Sequence, residues 1–311
     1  MSVKPDPSVI SPIATPEFAL LPDPARDFAD RATRLRHLAH QARLGPYLNF
    51  LADLSDLQAA LARELPPPVA PDAAAVARSR SYRMPPVDRA ALIAGDDMAQ
   101  VLDALLGRAG AITMPDPARA ALDALRAAPA EDLRALIAEI ATDHIPDGYA
   151  APALFLAAAF QVAAARAASV LDAGELVAIR SGVCPACGGR PSVSVVVSTI
   201  RLDGLRYACC AGCATRWNEV RVKCLCCGST KGIGYRALET GDVGAQASDR
   251  AGPAVQAEVC DECKSWVKIL YKTRDAGVEP VADDIASLGL DMLMRDSEWS
   301  RGGFNPFLSG Y

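Results

Sequence analysis

The placement of cysteine constrains this chain more than any other feature of its 311 residues. All ten cysteines follow position 183, and eight of them form four Cys-x-x-Cys pairs. The pairs are Cys184/Cys187, Cys210/Cys213, Cys224/Cys227 and Cys260/Cys263. A two-residue gap lets one tight turn aim two sulfurs at a common point, and two such turns supply a tetrahedral four-cysteine metal site. The pattern therefore predicts two metal ions.

Two ways of combining the pairs are compatible with the sequence. Combination in chain order gives one site from the first two pairs and another from the last two, with intervening loops of 22 and 32 residues. This arrangement closes smaller loops and is favoured by entropy, whereas an interleaved arrangement stays open. Four thiolates suit zinc and also a single iron. An open catalytic zinc site is not expected, because no histidine follows residue 144.

The residues that follow the pairs predict turns of more than one kind. Gly188 and Gly228 directly follow two of the pairs, at a position where a turn often requires a positive φ. Ala214 and Lys264 occupy the equivalent position after the other two pairs. On this basis the four turns are expected not to be uniform.

Cys209 and Cys226 remain outside the four pairs, although each is adjacent to a predicted ligand. We interpret both as small buried apolar residues, because free cysteine is among the most buried residue types. The alternative is a spare thiol that carries sulfur or exchanges into a metal site.

The changes in composition and in apolar spacing along the chain predict an α+β fold in three parts. Residues 1–178 are rich in alanine and apolar residues at helical spacing, after a proline-rich tail of 22 residues. Residues 179–275 contain short β-like runs separated by glycine and cysteine turns, which is typical of a small β domain with rubredoxin-like or zinc-ribbon-like sites. Residues 276–311 contain a C-terminal helix and tail, expected to pack on the rest of the chain.

One helical pattern spans the segment VADDIASLGLDMLMRDSEW, in which Asp283 and Asp284 come first. Acidic residues favour the positive end of the helix dipole, so we interpret both as N-terminal capping residues. Five residues are expected to form the packed face of this helix: Ala282, Ile285, Leu288, Leu290 and Met292.

Charge and apolar patterning point to the cytoplasm. The N-terminus lacks a charged region followed by a long apolar run, so no secretory signal is predicted. The apolar segment 151–174 is interrupted by Gln161 and Arg166; we take the uninterrupted run as too short for a membrane span and predict a buried helix. Thiols stay reduced in the cytoplasm, which favours metal ligation over disulfides. The net charge of −5 gives no reason to expect a nucleic-acid partner.

The β region itself has a weak electrostatic footprint for nucleic acid. Between residues 180 and 275 there are 14 basic and 9 acidic residues, and eight metal-bound thiolates would offset most of that excess. A nucleic-acid-binding zinc-ribbon protein is therefore the weakest of the functional classes considered.

The cysteine region resembles one known family closely. The run CPACGG…CAGCATRWNEVRVKCLCCGSTKGIGY…CDECKSWVKILY, followed by PVADDIASLGLDMLM and a late NPF, is similar to the formate dehydrogenase accessory protein FdhE family. The helical half matches that family in character, length and placement. Cys209 and Cys226 do not belong to the family pattern.

The resemblance implies a cytoplasmic accessory protein, not an enzyme, that is needed to make active respiratory formate dehydrogenase. It implies two rubredoxin-type centres, which favours iron over zinc, with the four Cys-x-x-Cys pairs as ligands. It also implies a partner, the molybdenum-containing catalytic subunit, which is exported folded by the twin-arginine route. Two other functions stay open from the residues alone: a thiol redox or sulfur-transfer protein, and the nucleic-acid-binding ribbon.

Overall fold

The computed structural model describes residues 15–40, 42–199, 202–238 and 252–308. The predicted proline-rich tail lies outside the described residues up to position 14, and the C-terminal tail lies outside them from position 309. Within the described ranges, a two-residue strand and eight α-helices come first, most of the strands follow, and two short α-helices come near the end. The predicted α+β class is confirmed.

Eight α-helices precede the first cysteine in the described part of the chain. The first has a regular start, because the Asp23 carboxylate accepts a hydrogen bond from the Arg26 N–H and Pro24 occupies the first turn. The helices are α1 (Pro24–Ala39), α2 (Gly45–Glu64), α3 (Ala73–Ser81), α4 (Arg89–Ala94), α5 (Asp96–Ala109), α6 (Asp116–Ala127), α7 (Ala130–Ala141) and α8 (Ala150–Ser169).

The central helix of this half is α8, which packs against α2, α5, α6 and α7. Its alanine-rich sequence lets these neighbours approach closely on several sides, and the helix is buried along most of its length. By length and composition alone, Ala150–Ser169 could cross a membrane, so our expectation that it is too short was wrong. The prediction of a buried helix is confirmed, since 78% of its most apolar window is buried within the fold.

The strands form one sheet of eight members among the described residues, in the order β1-β4-β3-β2-β7-β6-β5, with β8 beside β7. Six of them follow the β-like runs of the sequence. The strands are β1 (Ala19–Leu20), β2 (Pro191–Val197), β3 (Leu205–Cys210), β4 (Arg216–Glu219), β5 (Ile233–Arg236), β6 (Val255–Cys260), β7 (Ser265–Tyr271) and β8 (Ser300–Arg301).

The sheet contains the same three-stranded unit twice, although no repeat is apparent in the sequence. In each unit a Cys-x-x-Cys turn precedes the first strand, and a second turn joins the second strand to the third. Strands β2, β3 and β4 form one antiparallel unit, and β5, β6 and β7 form the other. The units join where β2 pairs with β7 in parallel, which makes the sheet continuous.

Two short helices follow the sheet where one was predicted. They are α9 (Pro280–Ala286) and α10 (Leu288–Arg295), which meet at Ser287. Helix α9 packs against α1 and β2. The break rotates α10 relative to α9, so Met292 is 57% exposed while Met294 is buried. Met292 was therefore wrongly assigned to the packed face, and its other four predicted members are buried or nearly so.

The acidic residues of α9 do not cap it in the way predicted. Glu279 is the capping residue, because its carboxylate accepts hydrogen bonds from the N–H groups of Val281 and Ala282. Asp283 accepts the Glu279 N–H in return, but it also accepts two hydrogen bonds from the half-buried Arg34 of α1. Asp284 is fully buried and forms ion pairs with the sheet and the C-terminal segment, so it is part of the core.

Candidate metal centres

The first group of cysteines, called cluster 1, contains Cys184, Cys187, Cys210 and Cys213. Its four sulfur atoms all lie within 4.8 Å of one another, and all four residues are buried. One turn precedes β2 and the other connects β3 to β4, so antiparallel pairing of β2 with β3 brings the two turns together. The register continues to the cluster itself, where Pro191 lies opposite Cys210.

The second group, cluster 2, contains Cys224, Cys227, Cys260 and Cys263, whose sulfur atoms also lie within 4.8 Å of one another. Pairing of β5 with β6 brings its two turns together in the same way. This cluster is nearer the surface, because Cys227 is exposed and Cys263 is half-buried. The structure thus groups the eight cysteines in chain order, and the interleaved arrangement does not occur.

The spacing of the sulfur atoms fits a metal ion and excludes disulfides. In cluster 1 the Cys184–Cys213 and Cys187–Cys210 sulfurs are 3.6 and 3.5 Å apart. In cluster 2 the Cys224–Cys263 and Cys227–Cys260 sulfurs are 3.6 and 3.8 Å apart. Disulfide sulfurs lie about 2.05 Å apart. A tetrahedron with metal–sulfur bonds of about 2.3 Å has sulfur–sulfur edges of about 3.8 Å, so either cluster can hold a tetrahedral ion.

Backbone N–H groups support the sulfurs, as the Cys-x-x-Cys turns require. The Cys213 N–H donates to the Cys210 sulfur over 3.4 Å, and the Cys226 and Cys227 N–H groups donate to the Cys224 sulfur over 3.3 and 3.5 Å. These donors favour the thiolate form, which is the form that binds a metal. Both clusters therefore present sulfur ligands that are already oriented.

The four turns are uniform in backbone conformation, which corrects the prediction made from their sequence. The residue after each pair has a left-handed φ: +78° at Gly188, +59° at Ala214, +79° at Gly228 and +51° at Lys264. A residue with a Cβ atom is disfavoured there, because the Cβ approaches the following carbonyl oxygen. The turn geometry is thus set by the paired cysteines, and two of the four turns retain a strained residue.

Replacing Ala214 by glycine is expected to stabilise the protein by about 0.5–1 kcal/mol. The change removes a left-handed penalty of about 1–2 kcal/mol, and the extra flexibility of glycine in the unfolded chain cancels part of the gain. Denaturant unfolding of the purified protein measures the difference. The reciprocal control is Gly188→Ala, whose new Cβ would also lie 3.2 Å from Pro85, and it should destabilise the protein. A loss of stability in Ala214→Gly would contradict this reading of the turns.

Residues of the helical half reach cluster 1, and the sequence pattern did not predict them. The guanidinium of Arg89, at the start of α4, donates to the Cys187 sulfur over 3.4 Å. Gln161 of α8 donates to the Ala211 carbonyl over 2.8 Å, and the Val87 N–H donates to the Ala186 carbonyl over 3.0 Å. Cluster 1 therefore lies at the contact between the helices and the sheet.

The electrostatics of cluster 1 favour a bound cation. Burial raises the pKa of the Cys184 thiol well above its ordinary value. The pKa of Cys187 lies well below its ordinary value, first because the neighbouring thiols donate hydrogen bonds to it and also because of the Arg89 charge. Four buried sulfurs of this kind do not all ionise without a compensating charge, which a metal ion would supply.

The two remaining cysteines lie in different environments. Cys209 points away from cluster 1 into an apolar group with Val193 and Leu270, and burial raises its pKa to about 12. It is the small buried residue that we predicted. Cys226 is half-buried and packs against Gly302, where an added Cβ would lie 2.2 Å from its sulfur. Neither sulfur belongs to a cluster.

Models of known protein families match almost the whole chain. Three family models match in order: "FdhE, N-terminal" over residues 16–181, "FdhE, central domain" over 183–221 and "FdhE, C-terminal domain" over 222–308. Cluster 1 falls in the central match and cluster 2 in the C-terminal match.

Relatives and a solved structure agree with this assignment. A protein FdhE homolog of Rhizobium meliloti (strain 1021) is 50% identical over 99% of this chain and 98% of its own length. Protein FdhE of Escherichia coli (strain K12 / DH10B) is 33% identical over 89% of this chain and 86% of its own length. The crystal structure of the FdhE protein from Pseudomonas aeruginosa is similar with a TM-score of 0.80 and 32% identity, over 94% of this chain and 99% of that one. The chain belongs to the FdhE family.

Proposed function

We propose that this chain is a non-enzymatic accessory factor in the maturation of formate dehydrogenase and that it binds one metal ion in each cluster. The observation that carries the proposal is the presence of two four-sulfur groups at tetrahedral spacing in a member of the FdhE family. The proposed ligands are Cys184, Cys187, Cys210 and Cys213 for one ion and Cys224, Cys227, Cys260 and Cys263 for the other.

Both clusters consist of cysteines alone, which supports a structural or electron-accepting ion over a catalytic one. Four thiolates fill a tetrahedral coordination sphere, whereas catalytic zinc keeps a position for water or substrate. Iron is favoured by the resemblance to rubredoxin-type proteins of this family, and zinc is the other candidate. The proposed role for the ions is to hold each three-stranded unit together, since small β units with little core depend on such cross-links.

The proposed partner is the catalytic subunit of formate dehydrogenase, and the proposed place of action is the cytoplasm, without nucleic acid or stable membrane insertion. Residues 1–178 and 276–311 would supply the helical surface for this partner, and residues 179–275 the metal-bearing β surface. Reduced thiols in that compartment are compatible with metal binding by all eight cysteines.

Metal analysis of anaerobically purified protein tests the proposal directly. We expect about two ions per chain, red protein if they are ferric iron and colourless protein if they are zinc. Cys224→Ser should lower the content to about one ion, and Cys209→Ala, which removes a buried thiol outside both clusters, should leave two. Full metal content in Cys224→Ser, or folded wild type with no metal, would refute the metal sites.

The same preparations test the partner. Tagged wild-type protein and Cys209→Ala should capture the formate dehydrogenase catalytic subunit from anaerobic extracts, whereas Cys224→Ser should capture less. No capture by metal-loaded wild type would refute the proposed partner while leaving the metal sites standing.

A further inference from the structure

Arg89 inserts a positive charge between the two turns of cluster 1. Its side chain is 14% exposed, and it reaches the cluster from the first residue of α4. One terminal nitrogen donates to the Cys187 sulfur over 3.4 Å. The other donates to the Ala141 carbonyl and to the Asp143 carboxylate, and the guanidinium carbon lies 5.5 Å from the centre of the Phe160 ring. The guanidinium is therefore fixed on three sides.

Two glycines of cluster 1 leave space for this guanidinium. A Cβ atom added to Gly189 would lie 1.7 Å from a terminal nitrogen of Arg89, and one added to Gly212 would lie 3.0 Å from the same atom. Neither glycine has a left-handed φ, so the backbone does not require glycine at either position. The approach of Arg89 is the steric reason for Gly189, whereas Gly212 leaves space for both Arg89 and the Phe160 ring, whose edge would lie 3.3 Å from an added Cβ.

Cluster 2 has neither the glycines nor the arginine. Its turns have the same spacing, and the residues equivalent to Gly189 and Gly212 are Ser229 and Glu262. No arginine donates to a cluster 2 sulfur among the hydrogen bonds of the described residues. Cys227 is exposed as well. The two clusters thus share a ligand set but differ in charge and in access to water.

We propose that Arg89 is a positioning residue for an ion in cluster 1 and that it makes the clusters unequal, so that cluster 1 retains its ion while cluster 2 exchanges it. The inference rests on the metal binding proposed above. Four thiolates around a divalent ion leave an excess of negative charge, which a buried guanidinium partly offsets. The same hydrogen bond holds the Cys187 thiolate in place, whereas the exposed Cys227 thiolate is open to water and to competing ligands.

The test follows the release of zinc from the zinc-loaded full chain to excess 4-(2-pyridylazo)resorcinol. We expect two phases of equal amplitude in wild type. Cys263→Ser should remove the fast phase. Arg89→Met should accelerate the slow phase about tenfold without changing the fast one, because a hydrogen bond to a charged group is lost. Arg89→Lys should have an intermediate effect. The matched control is Arg80→Met, which removes an exposed arginine paired with Glu175.

A second variant moves the guanidinium without removing it. Gly189→Ala should accelerate the slow phase in wild type but have little further effect in Arg89→Met, because the clash is then absent. Gly107→Ala, which would place a Cβ in open space, is the control for the substitution itself. Circular dichroism shows which variants fold. If Arg89→Met does not fold, the zinc-release kinetics of Gly189→Ala and Arg89→Lys test the proposal in its place.

The outcomes separate this inference from the proposed function. One release phase in wild type overturns the inequality of the clusters, and an unchanged slow phase in folded Arg89→Met overturns the role of Arg89, while two bound zinc ions uphold metal binding in either case. Additive effects of Gly189→Ala and Arg89→Met overturn the steric link between them. Failure of wild type to bind zinc or iron overturns the proposed function and this inference together.

Discussion

Cys210→Ser is expected to be the most destabilising single substitution in this protein, with a loss of roughly 5 kcal/mol or more. Structural metal sites contribute about 10–16 kcal/mol of binding free energy in small zinc domains, whereas whole domains are stable by only about 5–15 kcal/mol. Cluster 1 also lies where the helices meet the sheet, so its loss affects both. The variant would leave three buried sulfurs without the ion proposed for cluster 1, and Arg89 would face less of the thiolate charge that it neutralises.

Thermal unfolding followed by circular dichroism and by tryptophan fluorescence measures the effect, since Trp217 in β4 is 2% exposed. The equivalent change in cluster 2, Cys263→Ser, is the matched comparison and should cost less, because that residue is half-buried and its cluster is nearer the surface. Equal losses in the two variants, or a wild-type midpoint for Cys210→Ser, would show that cluster 1 is not the main cross-link of the fold.

Local chemistry made much of the cysteine region predictable. Six strands and the grouping of eight cysteines follow from the alternation of β-like runs with Cys-x-x-Cys turns, because each turn fixes its neighbours within a few residues. The uniform turns were not predicted, since the expectation was based on whether glycine follows each pair. Ala214 and Lys264 show that the cysteines impose the left-handed conformation even at a steric cost.

The local sequence patterns did not predict contacts between residues that are far apart in the chain. The parallel pairing of β2 with β7 joins segments about seventy residues apart, and nothing within either strand encodes it. The contact of Arg89 with Cys187 spans ninety-eight positions. The sequence carried only the glycines themselves: it is the structure that shows Gly189 and Gly212 without a left-handed φ and each close to another group.

Asp283 and Asp284 were wrongly predicted as capping residues for a related reason. Asp284 looks like a capping residue because it stands early in a helix, and only the tertiary structure reveals the cations that it faces. Lys268 of β7 and Arg301 of β8 both pair with it, over 3.0 and 2.7 Å. Asp291 of α10 pairs with the same two cations. This four-residue network attaches the C-terminal helices to the sheet.

Lys268→Met should cost about 3–5 kcal/mol, the second large effect, because removing one partner of a buried ion pair leaves uncompensated charge. The Lys268 side chain is fully buried, and its ammonium also donates to the Asp284 carbonyl over 2.6 Å. Methionine keeps most of the volume, so the loss reports charge more than packing. Lys264→Met, on an exposed lysine paired with Glu298, is the control and should leave the unfolding midpoint unchanged within error.

The pH dependence identifies the charge as the cause. Burial raises the pKa of Asp284, but the Arg301 and Lys268 charges outweigh it, so this pKa lies below its ordinary value in the folded protein. Its contribution to stability is therefore present at neutral pH and is lost as pH falls through the folded pKa. Without Lys268 the folded pKa of Asp284 should rise, and that of Asp291, which burial already raises above its ordinary value, should rise further. Protonation then favours the folded variant, and the stability difference from wild type should shrink between pH 7 and pH 5. A difference that stays constant over this range would mean that lost packing, and not unpaired carboxylates, destabilises Lys268→Met.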